Sequence, residues 1–197
     1  MLFDNYLRAQ PLFTQLSRTY QSVEGNLLER GDALTIEAQI EALRWAIHLA
    51  EPRNILETGT NKSMFGFFLS HVLPRATLYT FDGDPRCVAG VELMNGAQSA
   101  VQSIFTLGDT KQTLVLFHGV AIGFAWIDGG HDQSTAFSDI KRAMDLRVPL
   151  IAVDDTKAMP QVAKAVERAI LDCPEYAQLS NPFWHHDARG ISFIHAR

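Results

Sequence analysis

The chain has 197 residues, 47% of them hydrophobic and 20% charged, which fits one globular domain with a sizeable core and excludes a disordered chain. Its formal net charge of -5, with basic residues scattered, gives no electrostatic reason to expect nucleic acid or an anionic membrane as partner. Two isolated cysteines, Cys87 and Cys173, exclude a disulfide framework or a thiolate zinc site, and no run approaches the roughly 18 apolar residues of a membrane helix, so a cytoplasmic setting is expected.

At the start, Leu2, Phe3, Tyr6 and Leu7, then Leu12, Phe13, Leu16 and Tyr20, recur at spacings of three and four. Residues 1–33 therefore read as a helical extension whose apolar faces need burial, either as a lid over a site or as a homodimer contact. The domain proper is expected over 34–197. It opens with a helix in which Ile36, Ile40, Leu43 and Ile47 share one face. Short apolar runs then alternate with helical segments. Strands are expected at 54–59, 76–84, 102–109, 123–130 and 148–155, with helices at 63–73, near 86–100, at 132–146 and at 159–171. That alternation predicts an α/β fold, a parallel sheet with helices on both faces. The end, "NPFWHHDARGISFIHAR", reads as two strand-like runs joined at Asp187-Ala188-Arg189-Gly190, an antiparallel hairpin closing one edge.

In open parallel sheets ligands bind outside the carboxyl ends of the strands, near the point where strand order reverses. Each of the five strands delivers a carboxylate there. The first ends in Glu57-Thr58-Gly59-Thr60-Asn61, the second in Asp82-Gly83-Asp84, and the third in Gly108-Asp109. The fourth, "AWIDGGHDQ", ends in Asp128 and His131 across two glycines; the fifth ends in Asp154 and Asp155. A glycine turn lets a ligand approach the backbone, and an acid ending the second strand suits the hydroxyls of a ribose. The turn lacks G-x-G-x-x-G, which disfavours a nicotinamide dinucleotide.

In order and spacing, "ILETGTNKS", "LYTFDGD", "LGD", "WIDGGH" and "IAVDDT" resemble the class I S-adenosylmethionine-dependent methyltransferases, above all the small-molecule O-methyltransferase-like group of the methyltransferase domain 24 type. The resemblance covers residues 34–197 and implies a Rossmann-like sheet of seven strands, the last antiparallel. It implies a cofactor site of Glu57, Gly59, Thr60, Asn61, Ser63, Asp82, Gly83, Asp109 and Asp128, with Glu57 and Gly59 at the methionine part, Asp82 at the ribose and Asp109 near the adenine. The pattern departs at Ser63, where the family carries glycine. Some members of the group also hold a divalent cation with three acids, here Asp128, Asp154 and Asp155; hard oxygen donors suit Mg²⁺, Mn²⁺ or Ca²⁺. A cation would acidify a small-molecule hydroxyl, and His131 beside Asp128 would take its proton. Metal-free alternatives leave Asp128 bonded to loop amides and Asp155 with Thr156 capping the helix over 159–171. A cofactor-binding protein without turnover is the alternative at the level of function. His185, His186 and His195 are read as structural, and Phe65, Phe67, Phe68 and Leu69 as core.

Overall fold

Runs such as Asn54–Thr58, Phe124–Ile127 and Leu150–Val153 are almost entirely buried, as continuous apolar runs are when helices cover both faces of a parallel sheet. The structure, a computed structural model, describes residues 33–61, 63–96 and 101–197. The N-terminal extension expected over 1–33 lies, but for Ala33, outside the described residues. Helix α1 (Ala33–Ala50) leads into β1 (Asn54–Thr58), α2 (Met64–Val72), β2 (Thr77–Asp82), α3 (Cys87–Gly96) and β3 (Gln102–Leu107). After these come a single helical turn, α4 (Thr110–Thr113), then β4 (Phe124–Ile127), α5 (Gln133–Asp145), β5 (Leu150–Val153) and α6 (Pro160–Asp172). The chain closes with β6 (Tyr176–Leu179) and β7 (Ser192–Ala196).

The seven strands lie in the order β3-β2-β1-β4-β5-β7-β6. Strands β1 to β5 pair in parallel, and β7 is antiparallel to both β5 and β6. Alternation along each strand splits the core in two. Leu56, Ala125, Ile127, Ile151 and Val153 face α5 and α6, whereas Ile55, Phe124, Trp126, Leu150 and Ala152 face α1 and α2. Among the described residues, no helix is long and apolar enough to cross a membrane.

The terminal hairpin differs from expectation in its first arm. That strand is Tyr176–Leu179, upstream of the aromatic run "NPFW". Asn181 prevents strand there: its Oδ1 accepts from the Phe183 N–H at 2.8 Å and its amide donates to Ile191 O at 2.9 Å, so the chain turns and Pro182 follows. The connection to β7 is therefore long, and it carries Asp187 and Arg189 across the top of β5. Asp187 opens the turn before β7, its Oδ1 accepting from the backbone N–H groups of Arg189 at 3.0 Å and Gly190 at 2.9 Å.

Candidate active site

The strand order reverses between β1 and β4, and there the two loops interlock. Thr58 O accepts from the Asp128 N–H at 2.9 Å, and Phe81 O accepts from the Gly59 N–H at 2.9 Å. Gly59 has a φ of 86°, and a Cβ there would sit 1.9 Å from the Asp128 carbonyl oxygen. Only glycine lets the loops meet. Behind this contact lies a cavity of about 220 Å³, bordered by Glu57, Gly59, Phe65, Trp126, Asp128 and Arg189 among others. Phe65 and Trp126 stack with centroids 5.7 Å apart, so aromatic faces expected only in the core also line the cavity.

On the β1–β2 side, the Glu57 carboxyl is 1% exposed and accepts from the Thr80 hydroxyl, which in turn takes the Thr60 hydroxyl. Thr60 thus spends its side chain on the scaffold, although the residue borders the cavity. Burial pushes the Glu57 carboxyl up to about 8, with Asp82 adding to the rise against the Thr80 hydrogen bond. Asp82 ties the first two loops together, Oδ2 accepting from the Asn61 N–H at 3.0 Å and Oδ1 from the Asp84 N–H at 2.8 Å. A carboxylate accepts about four hydrogen bonds, so capacity remains for hydroxyls. Gly83 follows on the exposed rim. Asp109 caps the short α4, its side chain accepting from the Lys111 N–H at 3.0 Å. Ser63 stands where the resembled pattern has glycine; its φ of 55° is left-handed, which explains the preference. Its hydroxyl is buried and finds no partner among the described residues.

On the β4–β5 side, the expected trio of Asp128, Asp154 and Asp155 does not assemble as such. The His131 Nε2 lies 2.9 Å from Asp155 Oδ2 and 4.0 Å from Asp128 Oδ1. Asp128, His131 and Asp155 can each bring one ligand atom within 4.8 Å of the others, whereas Asp154 Oδ1 accepts from the Gln39 amide at 3.0 Å. Asp155 does not cap α6, whose N-cap residue is Met159; it is 2% exposed, has a φ of 60°, and takes a forked pair of hydrogen bonds from Arg189. Nε donates to Oδ1 at 2.6 Å and Nη2 to Oδ2 at 2.7 Å. Arg189 Nη2 also lies 3.8 Å from Asp154 Oδ2. Burial, then the charge of Asp155, pushes Asp154 up to about 7, with Arg189 opposing. Burial and the Asp154 charge likewise raise Asp128. As they stand, these donors do not fit a divalent cation, because both Asp155 oxygens already face one positive group.

Arg189 and Gln39, which line the cavity, were not legible as site residues. Arg189 lies 34 residues from Asp155 and Gln39 lies 115 from Asp154, and no local spacing signals either pair. Asp139 sits within the amphipathic α5 yet is 1% exposed, beneath Gly129. Burial lifts its carboxyl to about 6, and neither of its oxygens has a hydrogen-bond partner among the described residues.

No family model matches the sequence, and no curated protein matches it. Solved structures do. The chain is similar to a protein from Klebsiella pneumoniae described as a candidate O-methyltransferase, at 18% identity and a TM-score of 0.69, with 100% of this chain and 96% of that one covered. It is similar to cofactor-bound Rv0187 from MTB, at 17% identity and a TM-score of 0.67 over 99% and 96% of the two chains. A third is the O-methyltransferase TomG from Streptomyces achromogenes, involved in tomaymycin synthesis and solved with S-adenosylmethionine, at 15% identity and a TM-score of 0.65 over 95% and 90%. These likenesses establish the fold, which is the Rossmann-like fold of class I methyltransferases.

Proposed function

We propose that this chain is an S-adenosylmethionine-dependent methyltransferase that acts on a hydroxyl of a small molecule. The observation that carries the reading is one cavity at the strand-order reversal that joins the Glu57–Gly59 turn to the acidic corner holding Asp128. The walls suit a cationic cofactor: Glu57 and Asp128 are acids, and Trp126 and Phe65 offer aromatic faces to a sulfonium. Bound there, S-adenosylmethionine would supply an electrophilic methyl group. Asp82, with acceptor capacity left over from the two loop amides, would hold its ribose hydroxyls, and Gly59 would let its methionine part lie against the backbone.

A neutral hydroxyl is a poor nucleophile, so its proton must leave as attack proceeds. His131 is the group for that proton. Its Nε2 lies 2.9 Å from Asp155 Oδ2, and a neutral imidazole keeps one ring nitrogen with a lone pair to receive a proton. After transfer, the imidazolium faces Asp155 at 2.9 Å and Asp128 at 4.0 Å, and both carboxylates stabilise it. The net charge of -5 favours a small-molecule acceptor over nucleic acid, and the N-terminal extension is proposed to cover the cavity or to pair two copies.

Calorimetric titration with S-adenosylhomocysteine, against NADH as control, tests the cofactor. Asp82→Ala should weaken S-adenosylhomocysteine about tenfold to a hundredfold. His131→Ala should keep that affinity and slow methyl transfer to a panel of phenols and alcohols by about a hundredfold to ten-thousandfold. Absence of binding at millimolar cofactor would overturn the reading. Binding without transfer to any acceptor would favour the non-catalytic alternative.

A further inference from the structure

We propose that Arg189 is the built-in cation of this site, occupying the place a divalent ion would otherwise take between the carboxylates that end β4 and β5. Asp155 groups here with Asp128 and His131, Asp154 stands beside them against Arg189, and a buried carboxylate needs an opposing charge. Arg189 supplies it with the planar fork that matches a carboxylate, Nε and Nη2 each taking one oxygen of Asp155. The same Nη2 lies 3.8 Å from Asp154, so one guanidinium faces both acids of β5's end.

This arginine is placed by the fold. The Asp187 carboxylate, 1% exposed, holds the N–H groups of Arg189 and Gly190. The Arg189 carbonyl accepts from the Lys157 N–H at 2.8 Å and the Ala158 N–H at 3.0 Å, two and three residues beyond Asp155. Gly190 permits this, since its φ is 82° and a Cβ there would sit 2.8 Å from the Lys157 nitrogen. The loop carrying the guanidinium and the loop carrying its carboxylate are thus clamped backbone to backbone. A divalent ion bound to Asp155 would lie within about 2.0–2.6 Å of an oxygen that already faces the guanidinium at 2.6–2.7 Å, and two cations there repel. Arg189 is a positioning residue in consequence: it fixes Asp155, and Asp155 fixes His131 through the 2.9 Å contact.

The inference rests on this side-chain geometry and not on the methyl-transfer reading, so either can fail alone. The test is Mn²⁺ and Mg²⁺ alone, titrated into the cofactor-free full chain, read by calorimetry and by melting temperature. Wild type should show no saturable binding and no shift at millimolar ion. Arg189→Met removes the guanidinium and should turn the acids into an ion site. Its melting temperature should rise by about 5 °C or more at a Mn²⁺ concentration a hundredfold above its Kd, and Asp155→Asn in that background should abolish the rise. Arg189→Lys, which keeps a charge, should stay insensitive like wild type. Saturable Mn²⁺ binding to wild type that Asp155→Asn abolishes would overturn the proposal, as would a folded Arg189→Met with no response. If Arg189→Met does not fold, the wild-type titration decides alone: binding overturns the proposal and its absence supports it.

Discussion

Glu57 offers a quantitative test of how the β1 turn is built. Its carboxyl is raised from an ordinary 4.5 to about 8, chiefly by burial, so the folded chain holds this proton far more tightly than the unfolded chain. The sign follows from linkage. Stability from this group is complete below pH 4.5 and is lost as pH rises towards 8, where the folded carboxyl ionises. At about 1.36 kcal/mol per pH unit, the loss amounts to about 5 kcal/mol by pH 8.5 and about 3 kcal/mol at pH 7, a large part of a total stability of about 5–15 kcal/mol. Glu57→Gln keeps the shape and an oxygen for the Thr80 hydroxyl but cannot ionise. The cofactor-free variant should match wild type at pH 5 and exceed it by several kcal/mol at pH 8.5, in urea unfolding followed by circular dichroism. Asp139 and Asp154 titrate in both proteins and cancel in the difference, whereas Asp128 feels the Glu57 charge as the last of its named influences and adds only a smaller difference. A difference that stays the same at both pH values, within about 0.5 kcal/mol, would refute the reasoning.

Two backbone positions carry further predictions. Gly59→Ala should cost more than about 2 kcal/mol and lower the yield of folded protein, because its Cβ meets the Asp128 carbonyl at 1.9 Å in a left-handed backbone; a melting temperature within about 1 °C of wild type would contradict the interlocked loops. Ser63→Gly should stabilise by about 0.5–1 kcal/mol, since a side chain at φ 55° is strained and its buried hydroxyl bonds to nothing described. Thermal melts check this, and a destabilised variant would show that the hydroxyl has a partner.

Much of this arrangement could be read from the chain, for a physical reason. Strands buried on both faces are continuous apolar runs, so the residue at which each run stops marks the carboxyl edge of the sheet. Glu57, Asp82, Asp109, Asp128 and Asp154 were found that way, and all stand at or just beyond the strand ends. Where local chemistry competes with pattern, the sequence misleads. "NPFWHH" looks extended, but the Asn181 side chain turns the chain and moves the strand to Tyr176–Leu179. Partnerships between distant side chains left no trace at all. His131 was expected to lean on Asp128, its neighbour in the chain, and leans closer to Asp155. That choice depends on where β5 ends relative to β4, and on a guanidinium that only the fold brings there.

The position of β7 between β5 and β6 affects how the protein is made. A ribosome emits Asp155 34 residues before Arg189, about 2–7 s at ordinary rates of synthesis. During that interval the β5 edge has no neighbour and its terminal acid has no counter-ion, while β1 to β4 can already pair. An open, wholly apolar strand edge invites pairing with other nascent chains. Chains stalled between residues 160 and 190 are expected to aggregate or be degraded, and a chain ending at residue 180 should be cleaved rapidly in pulse proteolysis. Selection on the final hairpin therefore acts on the yield of folded protein as well as on the chemistry at its tip.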